Sequence, residues 1–272
     1  MNTLLTIVWD VDPEAFTIPF TEWPVRWYGL LFVLGLLVSQ YLLIYIFEKD
    51  GKTRKHVEDL TIYVVLGTII GARLGHVFFY DAGYYLSHPA EILQIWKGGL
   101  ASHGGAIGIL IAVYLYSRKY KLDFLWIFDR LVIVVCFTGA CIRFGNLMNS
   151  EIIGKVTSMP WGVKFVRAYP PEMALDFRHP AQVYEALYCL VLMGVLFYLW
   201  KKHSHKFNNG YLFGLFLVIL FTLRFIDEFF KVSQEAWEDD MLLNMGQILS
   251  IPFVIAGIYL IYRAKSKPVK LS

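Results

Sequence analysis

The chain has 272 residues, 57% of them hydrophobic and 17% charged, with a formal net charge of +3; a soluble domain averages about 45–50% apolar and about 25% charged. At a mean hydropathy of +0.52 a water-soluble form would expose apolar surface that it has too few polar residues to cover, and so small a net charge offers no footing to nucleic acid. The composition excludes one or two soluble domains and asks for membrane helices, with 17% aromatics to supply Trp and Tyr at both interfaces.

The first residues, MNTLLTIVWDVDPEAF, lack a basic region followed by an apolar one. No cleavable signal peptide is expected, and the first span serves as the insertion signal. Apolar stretches of about 17–25 residues cross the hydrocarbon. They predict spans at Trp27–Phe47, Leu60–Tyr80, His103–Ser117, Phe124–Ile142, Gln182–Trp200, Tyr211–Phe230 and Ile248–Tyr262. The expected fold is an all-α membrane protein of about seven transmembrane helices in a single polytopic domain, residues 1–272. The third span is short, so Ala90–Leu100 is expected to add a re-entrant or interfacial piece. Gly67, Gly71 and Gly75 form a small-residue ladder on the second span, which suits close helix packing.

Lys and Arg set the orientation. Lys49, Lys52, Arg54 and Lys55 share one side with Arg118, Lys119, Lys121, Lys201, Lys202, Lys206, Arg263, Lys265, Lys267 and Lys270. Asp10, Asp12, Glu14, Glu22, Asp81, Glu91, Glu238, Asp239 and Asp240 fall on the other. The N-terminus is therefore expected outside and the C-terminus in the cytoplasm, which agrees with an odd number of spans. The longest outer loop, residues 143–181, carries Pro160, Pro170, Pro171 and Pro180 and is expected to form a small extracytoplasmic cap.

Charged groups at membrane depth cost several kcal/mol, roughly 2.5–3.5 on insertion scales, and they mark cavities or partners. Four clusters stand at the outer ends of the spans. Arg73, His76 and Tyr80 share one helical face, where Arg73 either snorkels to the interface or serves a site. In GGLASHGGAIG, residues 98–108, five glycines surround His103 at a helix start. Glycine admits close approach of backbone or ligand, and a helix N-terminus offers N–H groups to an anion. IRFGNLMNSEIIG, residues 142–154, sets Arg143 and Asn146 one turn apart, followed by Asn149, Glu151 and Gly154; a cap and turn account for the asparagines but not for Arg143. LRFIDEFFK places Arg224, Asp227, Glu228 and Lys231 at i, i+3, i+4 and i+7. That stripe is either an Arg224–Glu228 pair acting as glue or a phosphate grip, since a paired arginine keeps spare donors. RHPAQVYE adds His179, Gln182 and Glu185 at the start of the fifth span. Arginine grips phosphate at two points, and the phosphates at this depth are lipid headgroups, so a phospholipid site is the simplest common reading.

Cys136, Cys141 and Cys189 lie in apolar runs without metal-ligand spacing and read as core residues. Apolar surroundings disfavour a thiolate, so none is expected to act as a nucleophile.

Seven segments together carry a family resemblance: WYGLLF (27–32), GARLGHVFFY (71–80), GGLASHGGAIG (98–108), RFGNLMNSEIIG (143–154), RHPAQVYE (178–185), RFIDEFF (224–230) and NMGQILSIP (244–252). In this order, and over nearly the whole chain, they resemble the prolipoprotein diacylglyceryl transferases. Ile142, Leu147, Ser150 and Ala106 stand where that family usually has Gly, Phe, Gly and a larger aliphatic residue. The resemblance implies an enzyme of the bacterial inner membrane that moves diacylglyceryl from phosphatidylglycerol to the lipobox cysteine of a preprolipoprotein, leaving a thioether and glycerol 1-phosphate. It implies His103, Arg143, Arg224 and Glu228 as the catalytic set, with His103 either base or headgroup ligand. For phosphatidylglycerol binding it implies Arg143, Arg224, Tyr28, Arg73, Asn146, Glu151, Gly154, Gln182 and Gly104. No metal and no cofactor are implied. The partners are phosphatidylglycerol, the lipobox signal peptide and the bilayer, with the site facing the outer leaflet.

Two rival readings have discriminators in the sequence. A transporter also carries intramembrane charge, but here no repeat pair is seen and the polar residues crowd one leaflet. Other phospholipid enzymes would need histidine-rich or paired-aspartate motifs, which this chain lacks.

Overall fold

A computed structural model of the chain describes residues 7–203, 206–232 and 241–266. Of the charges that set the expected orientation, Glu238, Asp239, Asp240, Lys267 and Lys270 lie outside these residues. The protein is mostly helical: α1 Trp27–Lys49, α2 Arg54–Phe79, α3 Ala82–Ser87, α4 Ser102–Tyr120, α5 Phe124–Met148, α6 Ala181–His203, α7 Tyr211–Asp227 and α8 Met245–Ser266. Five of these, α1, α2, α5, α6 and α8, are long and apolar enough to cross a membrane. The other two long helices fall short for separate reasons. The apolar run of α4 is diluted by His103, Arg118 and Lys119, and α7 has only 17 residues.

Most predicted boundaries move: α2 begins at Arg54 instead of Leu60, for example, and α8 at Met245 instead of Ile248, and two further shifts bear on the site. α5 runs on to Met148 instead of stopping at Ile142, because Arg143 and Asn146 find partners and need not leave the helix. The following connection is accordingly 149–180. α7 stops at Asp227 instead of Phe230, where the chain turns so that Lys231 bridges Gly154.

The chain divides into two compact units, one formed by Leu42–Arg130 and one by the rest of the described residues. In the smaller unit α2 packs on α4, and the ladder predicted for packing does pack. A Cβ on Gly75 would stand 2.7 Å from the Gly104 Cα, and one on Gly71 would stand 2.7 Å from the Gly108 Cα. Only hydrogen on both sides lets the backbones come this close. At the far end of this unit Arg130 reaches Asp50 at 2.8 Å and lies over the Trp126 ring. The segment expected to be re-entrant or interfacial, Ala90–Leu100, forms two 3-10 turns, Pro89–Leu93 and Ile95–Lys97, which follow the short helix α3.

In the larger unit α1 is tied to α5 by the Ser39 hydroxyl, which donates to the Val134 carbonyl at 2.9 Å. α5 and α6 share a core of Ala140, Ala186 and Cys189. α7 and α8 close on each other through Gly214 and Gly257, with Phe221 stacked on Phe253. Beyond an all-helical expectation, the unit carries short strands: β1 Ile7–Trp9, β2 Glu14–Thr17, β3 Pro24–Arg26, β4 Val163–Phe165 and β5 Phe177–Arg178. β1 lies parallel to β4 with Trp9 opposite Phe165, β5 lies antiparallel to β4, and β2–β3 form a hairpin. Elements of two to four residues are too brief for period-two alternation to register. Beneath β4 sits a small core of Leu147, Ile153, Val163, Phe165 and Ala168. The Trp9 indole fastens it by donating to the Leu147 carbonyl at 2.9 Å.

Candidate functional site

The residues singled out from the sequence fall into two sets, one in each unit. The larger unit gathers Tyr28, Arg143, Asn146, Glu151, Gly154, Gln182, Arg224 and Glu228; the smaller holds Arg73, His103 and Gly104.

In the larger unit the last turns of α5 present Arg143 and Asn146. Arg143 Nη1 donates to Asn146 Oδ1 at 3.2 Å, and its Nε pairs with the Glu185 carboxylate of α6. The Arg143 side chain remains 20% exposed. Asn146, buried, passes the link on by donating to Glu151 Oε1 at 2.8 Å. Asn149 also donates to that oxygen, at 3.2 Å. Gln182, buried at the start of α6, holds the same turn from the other side with a bond to the Glu151 carbonyl at 2.6 Å. The Tyr28 ring lies on Gly145, where a Cβ would stand 2.7 Å from its Cδ2. Gly145 is therefore what admits Tyr28 beside Arg143 and Asn146.

Gly154 is a crossing point of three segments. Its N–H donates to the His179 carbonyl at 2.9 Å, and a Cβ would meet His179 at 2.6 Å and the Phe230 carbonyl at 2.8 Å. Burial pushes the His179 imidazole below its ordinary pKa, because desolvation disfavours the charged ring. Its Nδ1 lies 3.1 Å from the Tyr184 hydroxyl.

Arg224 and Glu228 are paired as their spacing predicts, but loosely, at 3.9 Å. Glu228 is held more closely by Lys231 at 3.0 Å and by the Asn244 amide at 3.1 Å. Arg224 keeps 42% of its side chain exposed and is the less committed of the two predicted phosphate cations. Lys231, 3% exposed, stands 3.0 Å from both Glu185 and Glu228. Asp227, also buried, lies against Glu185. A buried ammonium survives only with such neighbours. Asn244 and Gln247 cap the start of α8 reciprocally, at 2.9 and 3.1 Å, which holds the Asn244 amide against Glu228.

Sequence reasoning named Glu185, Asp227 and Lys231 without placing them in the site. The signal was there in a charge at i+7 on a greasy helix and in a glutamate inside RHPAQVYE. What was missing was knowledge of which helices face each other.

In the smaller unit Arg73 is 4% exposed and does not snorkel. Its Nε donates to the Ile92 carbonyl at 2.8 Å, Nη1 to those of Gly98 and Gly99 at 2.7 and 3.1 Å, and Nη2 to that of Glu91 at 2.6 Å. Four of the five guanidinium N–H groups are thus spent on the 91–99 backbone, and the Tyr85 ring lies over the cation at 4.8 Å. His76 stacks on Tyr80 with ring centroids 5.6 Å apart. His103 is the second residue of α4 and exposed, and among the described residues its ring has no hydrogen-bond partner. Gly104 packs against Gly71 and Gly75.

The comparisons agree with one another. The family model described as prolipoprotein diacylglyceryl transferase matches residues 13–263. A phosphatidylglycerol–prolipoprotein diacylglyceryl transferase of Porphyromonas gingivalis is 47% identical over 97% of this chain and 96% of its own length. Relatives of the same name from Tolumonas auensis and Bacteroides fragilis are 44% and 43% identical; they cover 96% and 99% of this chain, and in both cases 99% of their own length. With every segment from Tyr28 to the α8 cap inside the matched region, the chain belongs to the prolipoprotein diacylglyceryl transferase family.

Proposed function

We propose that the chain transfers the diacylglyceryl group of phosphatidylglycerol to the lipobox cysteine of a preprolipoprotein, the first step of bacterial lipoprotein maturation. The observation that carries this is the family match over 251 residues, 13–263, which contains all the polar clusters. In the reaction the substrate sulfur forms a bond to the terminal glyceryl carbon while the carbon–oxygen bond to phosphate breaks. The phosphate oxygen keeps the electron pair and leaves as glycerol 1-phosphate.

Arg143 and Arg224 are assigned to the phosphate, where charge builds up as the bond breaks. The partial exposure of both side chains supports this assignment. Glu185 orients Arg143, and Glu228, held by Lys231 and Asn244, limits where Arg224 can reach. Tyr28, Asn146, Glu151 and Gln182 are assigned to the glycerol headgroup, with Gly154 keeping the backbone close beneath it. A free cysteine thiol has a pKa near about 8.5, so the acceptor must give up a proton, and His103 is assigned to take it or to bind the headgroup. Arg73 is assigned to shaping the 91–99 loop around that histidine's helix, and Gly104 to seating the helix on α2.

The protein is read as a single polytopic domain of the bacterial cytoplasmic membrane with seven spans, α4 and α7 completing the set. The N-terminus and the cap, residues 149–180, lie outside, the C-terminus lies in the cytoplasm, and the site opens toward the outer leaflet. Purified protein, phosphatidylglycerol and a lipobox peptide should yield a peptide heavier by one diacylglyceryl group, with glycerol 1-phosphate in equal amount. Folded protein that gives neither product in mass spectrometry would end this reading.

A further inference from the structure

The turn that follows α5 forms one wall of a second pocket, of about 580 Å³, lined among others by Asn149, Ser150, Glu151, Ile152, Arg167 and Tyr169. Two buried polar atoms of this wall, the Ser150 hydroxyl and Asn149 Oδ1, have no hydrogen-bond partner among the described residues. Ser150 is only 4% exposed. A buried polar group without a partner costs about 1–3 kcal/mol and calls for an explanation. The backbone here is also held in a costly shape. Ser150 and Ile152, neither of them glycine, take φ of 54° and 56°, in the left-handed region that a β-branched residue rarely enters.

Three features say what the pocket fits. Its charge balance is not cationic: Arg167 is shared between two carboxylates, Asp10 at 2.9 Å from Nε and Asp12 at 3.2 Å from Nη1. Glu151 stands in the same lining, so the pocket as a whole does not favour an anionic headgroup. Its volume lies in the range of about 300–1,000 Å³ that takes a ligand of drug size, more than glycerol phosphate fills and enough for several residues of peptide. Its unpaired atoms, an acceptor and a hydroxyl that are themselves buried in the wall, complement the N–H and C=O of an extended main chain once the Asn149 and Ser150 side chains turn outward. The pocket also adjoins the proposed donor site, since Glu151 belongs to both and is linked through Asn146 to Arg143.

We propose that this pocket holds the extended peptide backbone of the acceptor beside its thiol-bearing residue, with Ser150 and Asn149 taking main-chain hydrogen bonds. The inference rests on the transferase reading given above, and it makes Asn149 and Ser150 determinants of acceptor binding, while Glu151 beside them stays with the donor headgroup.

Steady-state kinetics of Ser150→Ala and Ser150→Gly test it, with lipobox peptide and phosphatidylglycerol varied separately. Both variants should raise the KM for peptide about five- to tenfold, the worth of one hydrogen bond. The KM for phosphatidylglycerol and kcat should stay within about twofold. A rise in the KM for the lipid instead would mean that the pocket holds the donor headgroup, and unchanged constants would mean that it holds neither; both overturn the proposal. Glycine keeps the left-handed φ while removing the hydroxyl. An impaired Ala variant beside a wild-type-like Gly variant would assign the effect to backbone shape and also overturn it. Absence of product from the unmodified protein is a separate outcome, which defeats the transferase reading itself.

Discussion

At the scale of single residues, the charged groups of the larger unit differ in how firmly they are held, and their substitutions should differ accordingly. Arg143 is fixed by Glu185 on one edge and Asn146 on the other. Arg143→Lys keeps the charge but loses the planar fork, so turnover should fall by about 10²-fold, close to the loss in Arg143→Ala. Wild-type-like turnover of the lysine variant would leave Arg143 only a diffuse positive charge. Glu185→Gln should be worse for folding than for binding. It leaves Arg143 and the buried Lys231 without their shared counter-charge, a change worth about 3–5 kcal/mol in buried pairs. Thermal unfolding in detergent reads this directly, and a melting temperature equal to that of the unmodified protein would sink it. Helical spacing made Arg143 and Asn146 legible as neighbours and Arg224 and Glu228 as a pair. It could not foretell that α7 ends at Asp227, which turns Glu228 toward Lys231 and leaves the Arg224 pair at 3.9 Å. Local sequence gives distances along one helix; Glu185 and Lys231 meet across two.

At the scale of elements, the same limit explains the fate of the glycines. The ladder of Gly67, Gly71 and Gly75 identified one packing face, but nothing in a sequence says which helix covers it. The covering face proves to be Gly104 and Gly108, from a motif whose glycines read equally well as room for a ligand. A methyl group on Gly71 would meet the backbone of α4, and backbone cannot swing aside as a side chain can. Gly71→Ala should therefore destabilise the protein by about 1–3 kcal/mol, as overpacking does. A melting temperature in detergent unchanged from that of the unmodified protein would refute it. Arg73 acts on an element too. Because its bonds gather four carbonyls of the 91–99 segment, Arg73→Gln should loosen that segment. Cleavage by an added protease between residues 82 and 101 should speed up severalfold while the rest of the chain is cut as before. Equal cleavage rates would show that the turns hold themselves.

For the whole molecule, composition and apolar runs were enough to find every long helix, since helices that meet lipid must satisfy their own backbone and stay apolar. They missed the polar turns at the start of α2 and the end of α5. The strands were illegible because each is only two to four residues long, and β1 is in addition set by a partner far away in the chain, β4. The diacylglyceryl group could travel directly or by way of the enzyme, and three cysteines in a transferase invite a route through an enzyme thioether. The structure argues for direct transfer. Cys136, Cys141 and Cys189 are all free and buried, at 2%, 6% and 7% exposure. Cys141 packs against Gly35, and the Cys189 sulfur lies 3.6 Å from where a Gly139 Cβ would stand, so both occupy helix interfaces. Among the described residues no histidine is bonded to any of the three thiols, and an apolar surround disfavours the thiolate that a nucleophile needs. A direct route requires only a held phosphate and a deprotonated substrate thiol, and it displaces the phosphate once. The variant with all three cysteines changed to Ala or Ser should keep most of its turnover, losing stability where the buried sulfur filled space. Trapping a diacylglyceryl adduct on the enzyme, or finding the cysteine-free protein folded but inactive, would replace direct attack with a two-step path.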